Sequence, residues 1–134
     1  MGSLLAWIID DDLVAQYTAT YKIQQSNSEF RVICHDSVEL ALDALKNAVQ
    51  DKNSVPEIVL LDLSFPNKGG WYFLEELERL GPELFAIKIY IISAFTNSRD
   101  RAIAALHPSV KGYFDKPLTA VDFTEVFGKT QNES

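Results

Sequence analysis

Leu4-Leu5-Ala6-Trp7-Ile8-Ile9-Asp10-Asp11-Asp12 is the stretch on which the reading of this chain turns. Six apolar residues run without interruption and stop against three carboxylates. A strand with one wet face alternates polar and apolar side chains. This one does not, so it reads as a central strand of a parallel sheet, buried on both faces. Ile58 to Leu61 repeats the pattern and is closed by Asp62. Ile87 to Ile92 repeats it again, followed by Ser93-Ala94. Glu29 to Cys34 and the short Gly112 to Phe114 are the remaining strand candidates, the latter followed by Lys116-Pro117.

Between these runs the apolar period becomes helical. Asp12 or Asp11 can cap a helix to about Gln25, with Leu13, Tyr17, Thr20 and Tyr21 on one face and Val14 beside them. A second helix runs to about Val49 on a stripe of Val38, Ala41, Leu42, Leu45 and Val49. Asp36 or Ser37 caps it, and Asp36 with Glu39 fits a capping box. Trp71 to Leu80 turns Phe73, Leu74, Leu77 and Leu80 inward before Gly81-Pro82. Asn97 or Ser98 opens a helix to Leu106, and Thr119 to Phe127 is the last. Strand and helix therefore alternate five times. That is a doubly wound α/β domain, (βα)5, with helices on both faces of a five-stranded parallel sheet.

Composition narrows the function. Twelve basic against nineteen acidic residues give a net charge of -7, the wrong sign for a nucleic-acid surface or an anionic membrane. No run reaches the roughly 18 apolar residues of a membrane span. The start carries no basic region of the kind that opens a signal peptide. Cys34 is the single cysteine, so no internal disulfide forms; it reads as a strand thiol, and its solitude suits a reducing, cytoplasmic setting. His35 and His107 lack zinc-site spacing.

In open parallel sheets, function gathers beyond the carboxyl ends of the strands. Those ends here carry Asp10 and Asp11, Asp62, Ser93 and Lys116. Three carboxylates in one cleft repel each other, and a divalent cation is their natural neutraliser, with oxygen ligands favouring Mg2+. A lysine opposite the metal and a serine hydroxyl suit a phosphoryl group in transfer. Asp62 stands alone at its strand end, before the turn-forming Phe65-Pro66-Asn67-Lys68-Gly69-Gly70. It is the better nucleophile, and a carboxylate nucleophile yields an acyl phosphate. Asp11 then binds metal directly and Asp10 through water.

Four segments, in order and at strand ends, resemble the receiver domains of two-component response regulators, the chemotaxis regulators among them. They are Trp7-Ile8-Ile9-Asp10-Asp11-Asp12, Leu60-Leu61-Asp62-Leu63-Ser64-Phe65-Pro66, Ile91-Ile92-Ser93-Ala94 and Gly112-Tyr113-Phe114-Asp115-Lys116-Pro117. The resemblance implies a flavodoxin-like strand order 2-1-3-4-5 and a receiver over residues 4–128, with 129–134 a loose tail. It implies a phosphoacceptor at Asp62, a Mg2+ site of Asp10, Asp11, Asp62 and the Ser64 carbonyl, a phosphate-contacting Lys116, and switch residues Ser93 and Tyr113. It also implies a Lys116-Pro117 bond that is often cis. The donor would be a sensor histidine kinase or a histidine phosphotransfer protein. The output would be a protein effector docking on the face of the fourth helix, fifth strand and fifth helix. The doubled glycine at Gly69-Gly70, where one at Gly70 is usual, could loosen the loop over Asp62.

Such a domain assists its own phosphorylation and dephosphorylation but is not a free-standing enzyme. An aspartyl-phosphate phosphatase would need a second acid two residues after Asp62, where Ser64 stands. A phosphorylation-independent scaffold would be expected to lack Asp62 or Lys116. A flavoprotein of similar topology is disfavoured, because the acidic loop after Ile9 repels a flavin phosphate. Only seven residues follow Phe127. The chain is therefore expected either to act alone through binding or to be the receiver of a longer regulator.

Overall fold

The computed structural model describes residues 4–51, 54–63, 69–81, 84, 86–94 and 98–128. Ten elements alternate along the chain: β1 (Leu4–Ile9), α1 (Leu13–Ser26), β2 (Phe30–His35), α2 (Val38–Ala48), β3 (Ile58–Asp62), α3 (Gly69–Leu80), β4 (Lys88–Ser93), α4 (Ser98–Ala105), β5 (Val110–Asp115) and α5 (Ala120–Phe127). All strand pairings are parallel, in the order β2-β1-β3-β4-β5. The flavodoxin-like order is the one the resemblance implied.

The apolar runs explain this order. β3 is buried along its whole length and β1 from Leu5 onward, so each needs a neighbour on either side and a helix layer on either face. The edge strands β2 and β5 keep exposed positions. Odd-numbered β1 residues Trp7 and Ile9 join Val59, Leu61, Ile89 and Ile91 beneath α2 and α3, where Leu45, Phe73 and Leu77 close the layer. Even-numbered Ala6 and Ile8 join Leu60 on the opposite face, covered by Ile23 of α1 and by Phe123 and Phe127 of α5. Each such fully buried Ile or Leu contributes about 1.5–3 kcal/mol.

α1 departs from the sequence expectation. Leu13, Val14, Tyr17 and Tyr21 are exposed, at 57–80% of their maximal accessible area, and the buried residues are Gln16 and Ile23. The helix is rotated from the face its apolar residues suggest. Asp12 caps it, its carboxylate accepting from the N–H groups of Val14 and Ala15. The capping box expected from Asp36 and Glu39 is also absent. Ser37 is the cap of α2, its hydroxyl accepting from Leu40 N, because Asp36 is engaged elsewhere. β5 is longer than Gly112 to Phe114, and a register shift between Ile89 and Tyr90 fits it to β4. α5 opens on a reciprocal capping box between Thr119 and Asp122. No helix among the described residues is long and apolar enough to cross a membrane.

Candidate functional site

Register brings the polar strand ends together. Ile9 lies beside Leu61, and Asp62 beside Ile92. Asp10, Asp62 and Ser93 therefore emerge along one edge, and Ser93 is paired in turn with Asp115 of β5. Asp10, Asp62 and Ser93 are buried, at 1%, 2% and 5% exposure, whereas Asp11 is exposed. Carboxylate oxygens of Asp10, Asp11 and Asp62 all lie within 4.8 Å of one another.

Every polar atom of Asp10 is engaged. Its N–H donates to the His35 carbonyl at 3.1 Å. Its carbonyl accepts from Gln16 Nε2 at 2.7 Å, and its Oδ1 from the Asp12 N–H at 2.9 Å. Its buried Oδ2 has Lys116 Nζ at 2.8 Å. That approach is an ion pair rather than a well-angled hydrogen bond, so Oδ2 retains coordinating capacity. The same ammonium donates to Asp62 Oδ2 at 3.1 Å. The Lys116 backbone N–H is anchored on the Ser93 carbonyl at 2.9 Å, and the Lys116–Pro117 bond is cis.

Burial pushes the Asp10 carboxyl above its ordinary pKa. Lys116 and the Asp12 N–H pull it down, and the neighbouring Asp62 charge adds to the rise. Burial also works against the Lys116 ammonium, but two carboxylates outweigh it and leave its pKa above the usual lysine value. Three carboxylates against one ammonium leave two net negative charges in a partly buried cleft. A divalent cation matches that charge, and an all-oxygen donor set suits Mg2+.

Tyr113 lies on β5, half-buried against the core that includes Ile91. Burial raises its phenol pKa, and the nearby Ser93 hydroxyl works against that rise. Arg101 of α4 covers the outer side of the ring, with its guanidinium carbon 4.7 Å from the ring centroid. The same guanidinium donates to the Tyr113 carbonyl at 3.4 Å and pairs with Asp115 at 3.2 Å. Ser64, the Phe65 to Lys68 loop and the 129–134 tail lie outside the described residues.

Gly69 and Gly70 each have a separate steric cause, and the loop they were expected to loosen lies outside the described residues. Gly69 sits at φ +66°, in the left-handed region. A Cβ on Gly70 would meet Leu63 Cδ2 at 2.7 Å and the Asp62 carbonyl at 3.2 Å, so α3 starts hard against the end of β3.

Sequence reading missed Gln16 and Arg101. Gln16 gives no hydrophobic signal of its own, since most apolar residues of α1 mark a different face. Arg101 carries no signal either, because its partners lie on the next strand.

The chain belongs to the response regulator receiver domain family, which it matches over residues 6–127. Its fold is similar to that of a two-component response regulator from Cytophaga hutchinsonii, at 22% identity and a TM-score of 0.84 over 92% of each chain. A two-component response regulator from Legionella pneumophila gives 23% and 0.79, over 92% of this chain and 95% of that one. The phosphorylated cyanobacterial phytochrome response regulator RcpA gives 20% and 0.72, over 92% and 88%. At these identities the likeness establishes the fold. No curated protein sequence matches the chain.

Proposed function

We propose that this receiver domain accepts a phosphoryl group on Asp62 from a phosphohistidine donor, with Mg2+ bound, and so switches a protein-binding surface. The observation that carries the reading is the single Lys116 ammonium between Asp10 and Asp62, at the edge where three carboxylates converge. In the transfer, the P–N bond of the donor imidazole breaks as a P–O bond forms to an Asp62 carboxylate oxygen. The imidazole leaves with the electron pair and takes up a proton from solvent. Asp10, Asp11 and Asp62, with the Ser64 carbonyl, would hold Mg2+, which offsets the negative charge of the transferring phosphoryl oxygens. Lys116 supplies a second positive charge, and the Ser93 hydroxyl donates to a phosphoryl oxygen.

The donor is a sensor histidine kinase or a histidine phosphotransfer protein, in the cytoplasm. The receiver occupies residues 4–128, with 129–134 as a tail. Phosphorylation draws Ser93 toward the site, and Tyr113, on the neighbouring strand, follows it inward. The effector docks on α4, β5 and α5, a face on which Ile103, Leu106 and Val121 are exposed. Labelled acetyl phosphate with Mg2+ tests the assignment. The wild-type chain takes up label and Asp62→Asn does not; equal uptake by both would show that Asp62 is not the acceptor.

A further inference from the structure

We infer that Gln16 is a positioning residue for the acidic pair, holding the Asp10–Asp11 turn in the arrangement that receives a divalent cation. The inference rests on the receiver reading of that site. Gln16 lies on the inner face of α1 and is buried. Its amide nitrogen donates to the Asp10 carbonyl and to Asp36 Oδ1, both at 2.7 Å. Each partner is purely an acceptor, so the amide has one workable orientation, with both N–H groups committed.

The Asp10 carbonyl needs this donor. The pairing of β1 with both neighbours ends at Ile9, and the next carbonyl leaves the sheet without a strand partner. Gln16 supplies the missing hydrogen bond from the helix that follows. The peptide plane that contains the Asp10 carbonyl also contains the N and Cα of Asp11. Pinning that oxygen therefore sets the point from which the Asp11 side chain departs. The second arm of the amide ties the same turn to Asp36, just past β2.

The bridge is neutral. Asp10, Asp11, Asp62 and Lys116 together carry two negative charges. A lysine or arginine at position 16 could make similar contacts but would cancel part of the charge that attracts the cation. An amide fixes the geometry and leaves the field intact.

Calorimetric titration of the whole chain with Mg2+, without phosphodonor, separates this role from simple packing. Gln16→Met keeps the length of the side chain and removes both donors. Its Mg2+ affinity is expected to fall about tenfold, as when an outer-shell partner of a metal ligand is lost. Ile23→Val, buried on the same helix face, loses stability with its Mg2+ affinity unchanged. Wild-type affinity in folded Gln16→Met would overturn the inference and leave the site standing. If Gln16→Met does not fold, Asp36→Ala on the exposed turn decides. A loss of about threefold supports the role, since one of two anchoring hydrogen bonds is gone, and no loss overturns it. If wild type itself binds no Mg2+, the reading of the site fails first, and the inference falls with it.

Discussion

Lys116 Nζ stands 2.8 Å from Asp10 Oδ2 and 3.1 Å from Asp62 Oδ2, so one ammonium bridges the ends of two adjacent strands. Its removal leaves two buried carboxylates facing each other. Lys116→Met is expected to lose about 1–3 kcal/mol at neutral pH without Mg2+, less than for a fully buried pair because the lysine side chain is 22% exposed. Added Mg2+ should recover part of the loss. Urea titrations with and without the ion check this, and a more stable Lys116→Met protein would contradict it.

Arg101 and Tyr113 are expected to be coupled. The stacked guanidinium is worth about 0.5–1 kcal/mol at an exposed site. The ion pair to Asp115 adds little, since its partners are 45% and 67% exposed. A double-mutant cycle of Arg101→Leu with Tyr113→Leu measures the coupling. A value of zero would mean that the stacking does not hold the ring in solution.

The start of α3 should tolerate no side chain at position 70. Gly70→Ala forces a methyl against Leu63 and the Asp62 carbonyl, at a cost of about 1–3 kcal/mol. Gly69→Ala meets no such clash but must adopt the left-handed region, at about 1–2 kcal/mol. The two should also differ in function. Only the Gly70 change moves the strand end that carries Asp62, so it alone should slow acetyl phosphate uptake. Equal uptake rates in the two variants would argue against that difference.

His35 gives the chain an acid-side instability. Burial lowers its pKa, its Nε2 is buried with no hydrogen-bond partner among the described residues, and its ring packs edge-on to Trp7 at 4.4 Å. The unfolded chain takes up the proton more readily than the folded one. This contribution is therefore complete above the unfolded value of about 6.5 and is lost as pH falls from there toward the lowered folded value. His35→Gln should flatten the fall in urea midpoint between about pH 7 and pH 5. An unchanged slope would assign the acid sensitivity elsewhere.

The central strands β1, β3 and β4 were legible because burial on both faces leaves an unbroken apolar run, and their ends located Asp10, Asp62 and Ser93 at one edge. The face of α1 was not legible in the same way. Its apolar residues Leu13, Val14, Tyr17 and Tyr21 point outward, and a glutamine points in. Hydrophobic periodicity cannot register a helix that is turned by two hydrogen bonds, because the acceptors, Asp10 and Asp36, are supplied by other parts of the chain. Asp36 escaped as a cap for the same reason. Arg101 over Tyr113 is likewise a contact between elements that no local pattern encodes.

The ion pair of Lys116 with Asp62 joins residues 54 positions apart, and Asp10 reaches it from the far side of the sheet's centre. Only the folded sheet brings these side chains to one edge. A nascent or partly unfolded copy therefore carries the acids without the pocket. On the proposed function, competence to be phosphorylated would certify a finished sheet, and a misfolded copy would stay silent rather than send a false message.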